Sequence, residues 1–238
     1  MPRLPNVDRS HGSGPGVHTV CAANAIRPEA IAFPRPLRYT AAMPRLFVAL
    51  RPPSGTRALL RAAMGGIEGA RWQDDDQLHL TIRFIGEVDR RQAEDVALAL
   101  SRASAPAPVI AIDGMGTFDR RGRIDTLWAR ALPIAPLAAL HAQVDGLLAT
   151  VGVARDDRKY LPHVTLARFG RHGAAPGAIE RWVAANAGLA TPAFTASHLI
   201  LYESRLGKDG AHYEAVARWP LDPPTASSHD RAQGLRDA

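Results

Sequence analysis

Two short segments combine the residue types of proton-transfer chemistry at one and the same spacing. His79-Leu80-Thr81-Ile82-Arg83-Phe84-Ile85-Gly86 aligns without gaps to His163-Val164-Thr165-Leu166-Ala167-Arg168-Phe169-Gly170. His, Thr and Gly are identical, and the first two aliphatic positions match in kind. In a β-strand, residues i and i+2 share a face. His79 and Thr81 therefore project together, as do His163 and Thr165, while Leu80, Ile82, Val164 and Leu166 face a core. Histidine can give or take a proton near neutrality. One imidazole can take the proton of an attacking water or hydroxyl while the other protonates the leaving oxygen, each role contributing about 10²–10⁴-fold. The hydroxyls can donate to phosphoryl oxygens as charge builds in the transition state. Nothing in this arrangement requires a metal, and no third His or carboxylate stands at a spacing that would complete a zinc site.

A lone His-x-Thr is weak evidence. Two gap-free copies in strand context arise by chance in fewer than about one sequence in a hundred. Of the nine histidines, His141, His172, His198, His212 and His229 are read as structural or solvated.

The elements that must hold these copies can be read from periodicity. Arg45–Leu50, Leu78–Ile85, Val109–Ile112, Thr126–Leu132, His163–Phe169, Ala193–Tyr202 and His212–Trp219 read as strands, the last two joined by a turn at Gly207-Lys208-Asp209-Gly210. Ser54 is a candidate cap for a helix to about Gly65, with Leu59, Leu60, Ala63 and Met64 as its apolar stripe. Asp89 caps a second helix containing Ala93, Val96, Ala97 and Leu100. Ile134–Val151 and Ala178–Ala187 read as two more. Strands and helices without strict alternation predict an α+β fold. The repeat further predicts two lobes about a pseudo-twofold axis, with the two His-x-Thr strands opposed.

Composition bounds the rest. The chain has 238 residues, 46% hydrophobic and 22% charged, as expected of a globular protein, and no apolar run near the length of a membrane span. Residues 1–42 are rich in Pro, Gly and Arg without periodicity, and read as a disordered extension or the product of an upstream start. Residues 43–221 form the domain, and 222–238 a flexible tail. Cys21 is the one cysteine, which excludes an internal disulfide and fits a reducing, cytoplasmic setting. The net charge of +6 favours anionic partners.

At these motifs the sequence resembles the 2H phosphoesterase superfamily, and within it the bacterial RNA 2′,3′-cyclic phosphodiesterases, also called 2′-5′ RNA ligases. The likeness covers about residues 43–221 and includes Arg45–Leu50, Leu78–Gly86, Pro162–Arg168, Leu201-Tyr202-Glu203-Ser204, Gly210, Tyr213 and Trp219. It implies a monomeric bilobal fold with two antiparallel sheets flanking a V-shaped groove. It implies hydrolysis of a ribose 2′,3′-cyclic phosphate to a 2′-phosphomonoester without cofactor. RNA with cyclic-phosphate ends, tRNA halves included, would be the partner, with reversible 2′-5′ joining as the same chemistry. His79 would be the acid and His163 the base, with Thr81, Thr165 and Arg168 as phosphate contacts. Strict alternation, however, puts Arg168 on the face opposite His163, so it either reaches the phosphate through a strand end or twist or helps to hold the groove through a hydrogen bond. Phe47 is read as core packing or as an aromatic lining the groove. A small cyclic-nucleotide or ADP-ribose cyclic-phosphate phosphodiesterase is the alternative enzyme. A non-catalytic RNA-binding module is the alternative class, against which the presence of both histidines and both threonines argues.

Overall fold

The computed structural model describes residues 39–170, 173–175, 177–207 and 210–224. Cys21, His172, His229, most of the extension and tail, and the Lys208-Asp209 centre of the expected turn lie outside them. The chain order is β1 (Arg45–Leu50), α1 (Ser54–Ala63), β2 (Ala70–Trp72), a 3-10 turn (Asp75–Gln77), β3 (Leu80–Glu87), α2 (Arg90–Leu100), β4 (Val109–Asp119), β5 (Ile124–Leu132), α3 (Ile134–Ala149), β6 (His163–Phe169), α4 (Ala178–Ala185), β7 (Phe194–Thr195), β8 (His198–Gly207) and β9 (Gly210–Pro220). No helix among the described residues is long and apolar enough to cross a membrane.

The strands run in the order β7-β4-β5-β6-β3-β1-β8-β9, with β2 on the β6 edge and every ladder antiparallel. The α+β class stands. The two expected sheets are halves of one curled sheet, and their seam is a single residue pair, Leu80 with Val164. So narrow a junction leaves the halves free to diverge on either side of it.

Alternation along β1 shows how the layers are built. Leu46, Val48 and Leu50 join the main core with Leu60 of α1, Val96 and Leu100 of α2, and Leu137, Leu140 and Val144 of α3. Phe47 and Ala49 point to the other face and pack with Ile200 and Tyr202. The helices thus cover one face of the sheet, and the opposite face is left to form a groove.

Several boundaries move. Asp89 caps α2 as expected, its carboxylate accepting from Gln92 N at 2.8 Å. Ser54 does not cap α1; Pro53 occupies the cap position with no side-chain bond, and Leu59 is exposed. The domain begins before Met43. Tyr39 is buried and its hydroxyl donates to Ala93 O at 3.0 Å. Glu203, 1% exposed, accepts from Thr40 N, Thr40 Oγ1 and Ala41 N at 2.9–3.2 Å. A buried carboxylate needs such donors, so the 39–41 segment is a strap that the absence of periodicity concealed. At the other end Asp222 is also fastened, through Ala105, Ala107 and Ser104.

Candidate active site

The Leu80–Val164 pair carries the geometry of the site. In an antiparallel register it sets His79 opposite Thr165 and Thr81 opposite His163. The motifs are related by a local twofold through that one pair, and His79, Thr81, His163 and Thr165 line one cleft of about 480 Å³.

Each ring is held in the same way. His79 Nδ1 lies 2.7 Å from Gln77 O, and His163 Nδ1 lies 2.7 Å from Leu161 O. A carbonyl can only accept, so Nδ1 carries the proton in both rings. The lone pair of each neutral ring therefore sits on Nε2. Gln77 is itself fixed: Asp74 N donates to its Oε1 at 2.9 Å, and its Nε2 donates to Ala211 O at 2.6 Å. Tyr160 donates to Thr81 O at 3.1 Å and stacks on His141. Sequence reasoning overlooked Gln77 and Tyr160. Gln77 acts through its position two residues before the histidine, the same offset as Leu161 in the other copy.

Aromatic rings hem in His79: Phe47 at 4.8 Å, Tyr213 at 5.0 Å and Tyr202 at 6.2 Å between centroids. Phe47 thus floors the groove. Burial among these rings pushes the His79 pKa down to about 4, with the Gln77 carbonyl opposing and His163, Arg168 and Arg51 adding to the fall. His163 is lowered too, by burial first and then by Arg168, against the Leu161 carbonyl. Burial thus favours the neutral form of both rings.

Arg168 is the expectation that geometry changes. Along β5 and β6, Leu127 pairs with Ala167 but Trp128 pairs with Thr165, so Leu166 is an extra residue in β6. A β-bulge resets the alternation of the strand. Arg168 consequently lines the same cleft as His163 and Thr165. The first copy is bulged at the equivalent residue: Val48 pairs with Arg83 and Ala49 with Thr81, skipping Ile82. There the groove position matching Arg168 is Phe84, 48% exposed, and the buried position matching Ala167 is Arg83.

The wall behind His163 is formed by Phe118, edge-on at 4.9 Å, and Trp128 at 5.8 Å. Trp128 lies flat over its ladder partner Gly116, where a Cβ would stand 2.2 Å from the indole. Gly116→Ala should therefore overpack this wall. Thermal unfolding should show a loss of about 1–3 kcal/mol, accompanied by a change in tryptophan fluorescence; an unchanged melting curve would contradict the close packing.

Residues 51–208 match the family described as the 2'-5' RNA ligase superfamily. The chain is 27% identical over 180 residues to the RNA 2',3'-cyclic phosphodiesterase of Methanocaldococcus jannaschii, covering 74% of this chain and 99% of that protein. It is likewise 27% identical to the Escherichia coli K12 protein of the same name, over 74% of this chain and 96% of that one. The crystal structure of E. coli LigT in apo form superposes with a TM-score of 0.60 at 25% identity, covering 76% of this chain and 99% of that chain. TT0787 of Thermus thermophilus superposes at 0.59 with 24% identity, over 75% and 98%.

Proposed function

The chain belongs to the 2'-5' RNA ligase superfamily, and from that membership we propose that it hydrolyses RNA 2′,3′-cyclic phosphate ends to 2′-phosphomonoesters with His79 and His163 as its acid–base pair. The observation that carries this reading is the Leu80–Val164 register, which opposes two imidazoles and two hydroxyls across one cleft. The curated relatives in M. jannaschii and E. coli bear the name of this activity, and the chain is expected to act as a cytoplasmic monomer.

In the proposed reaction the neutral imidazole accepts a proton at Nε2 from water as the water oxygen bonds to phosphorus. The P–O3′ bond breaks, and the protonated imidazole gives its Nε2 proton to O3′. The products are a 3′-hydroxyl and a 2′-phosphate, and the two rings have exchanged protonation states. Proton exchange with solvent restores them. Thr81, Thr165 and Arg168 donate to the nonbridging oxygens, where charge develops. A 5′-hydroxyl in place of water would join two RNA ends by the same steps.

The resemblance implies His79 as acid and His163 as base, and burial favours the neutral form of both rings in the free protein. Turnover needs one ring protonated and the other neutral. Substrate binding can move the proton, since a bound anion stabilises either imidazolium.

The test is an oligonucleotide ending in a 2′,3′-cyclic phosphate, incubated with the protein in excess EDTA. A 2′-phosphate product is expected at an undiminished rate. A 3′-phosphate would overturn the leaving-group assignment, and loss of turnover in the chelator would overturn the metal-free mechanism.

A further inference from the structure

The reacting groups lie where two clefts meet. Beside the one that holds His79 is a second, also of about 480 Å³, which shares His163, Thr165, Arg168 and Phe84 with it and continues along Phe118, Arg120, Lys159 and Tyr160. Its two walls are the β4–β5 hairpin and the loop that precedes β6. The hairpin begins at the Phe118 ring, in contact with His163, and ends in the exposed run Arg120-Arg121-Gly122-Arg123. Arg120 N donates to Arg123 O at 2.8 Å and closes that tip.

The acids in this cleft are already engaged. Asp156 is held by both Arg158 nitrogens at 2.8 Å, Asp119 accepts from Gly122 N, and Asp125 accepts from the Thr126 hydroxyl. Arg120, Lys159 and Arg168 have no carboxylate partner among the described residues. All three border this cleft together with two aromatic side chains, Phe118 and Tyr160. Phosphates spaced along a flexible strand, with bases between them that can stack, are the chemistry that fits such a lining.

The geometry points to the second cleft as the track for the RNA strand that leads to the cyclic phosphate, with Arg120 and Lys159 each neutralising one backbone phosphate upstream of the reacting end. This rests on the proposed hydrolysis and deepens it: the substrate class becomes a single-stranded oligonucleotide rather than a cyclic mononucleotide.

The test compares kcat/KM for a 2′,3′-cyclic mononucleotide with that for a mono-, di- and trinucleotide extension of it carrying the same end, across salt. Two neutralised phosphates predict a salt slope about 1.4 steeper for the longer substrates, or roughly a sevenfold fall in the oligonucleotide-to-mononucleotide ratio between about 50 and about 200 mM salt. Arg120→Ala with Lys159→Ala should remove both the length preference and the extra slope. Both residues are exposed, and the wild-type salt dependence needs no variant. Hydrolysis that is indifferent to length, or a length preference the double variant keeps, overturns the track and leaves the hydrolysis standing. Turnover of none of these substrates overturns the hydrolysis, and the track with it.

Discussion

His79→Ala and His163→Ala are each expected to lower turnover of a 2′,3′-cyclic phosphate by at least about a hundredfold, the lower bound of what a positioned proton donor or acceptor contributes. The two losses should not multiply in the double variant, since neither ring completes a cycle without the other. A variant near wild-type rate would remove that ring from the reaction. A substrate with sulfur at the bridging 3′ position separates the roles, because a thiolate departs without a proton. The acid variant should recover on it and the base variant should not. The pH profile adds a second check. The productive form has one ring protonated and one neutral, and both rings titrate below an ordinary histidine. The optimum of kcat/KM, which reports the free protein, should therefore fall on the acid side of about 6.5. Its limbs belong to the pair rather than to either ring. An optimum well above 7 would contradict the burial of the rings as the governing influence.

The second large effect is on stability. Arg83 and Asp145 are 6% exposed each and share a hydrogen bond of 2.7 Å from Nε to Oδ1. Arg83 also donates to the carbonyls of Phe84 and Ala154, and Asp145 accepts from Asp156 N at 3.2 Å. Burial raises the Asp145 pKa, but the Arg83 bond, the Asp156 N–H and the charges of Arg83 and Arg155 outweigh it and leave the group below the usual carboxylate value. Removing one partner strands the other as a buried charge, so Asp145→Ala and Arg83→Ala should each destabilise by about 3–5 kcal/mol in urea unfolding. Arg83→Met with Asp145→Leu should cost less than either single change, because no charge is then left unpaired. Equal or greater loss in the pair would refute this account. A carboxylate with a lowered folded-state pKa stabilises above its unfolded value. That contribution should fade only as pH falls below about 3.9.

Much of the fold and of the site is legible in the sequence, and the physical reasons for what is not are specific. The strands of the repeat are legible because Leu80, Ile82, Val164 and Leu166 alternate with polar neighbours. Asp89 is legible because a capping carboxylate acts within three residues. The bulges at Ile82 and Leu166 are not, since a bulge inside an aliphatic run changes register without changing residue type; the side on which Arg168 lies follows from that unreadable shift. The ladder of β4 runs on to Asp119 through Asp113, Gly114 and Gly116, residues that weaken a strand signal, so only its first four positions are expected from periodicity. β2 is three residues long and owes its existence to the exposed edge of β6. The Gln77 and Leu161 carbonyls that orient the histidines are backbone atoms and leave no mark on composition.

The matched bulges bear on handedness. Two imidazoles and two hydroxyls related by a local twofold present the same face to a phosphodiester whichever way round it enters, and a site of that kind cannot tell its left from its right. The bulges bring a further residue from each copy to the rim at equivalent places, and these two differ: a phenyl ring at 84, a guanidinium at 168. This pair of non-identical positions, together with the different rings around His79 and His163, gives the duplicated half-sites a polarity. Exchanging the two, Phe84→Arg with Arg168→Phe, would move the guanidinium to the other half-site while leaving both His-x-Thr pairs in place.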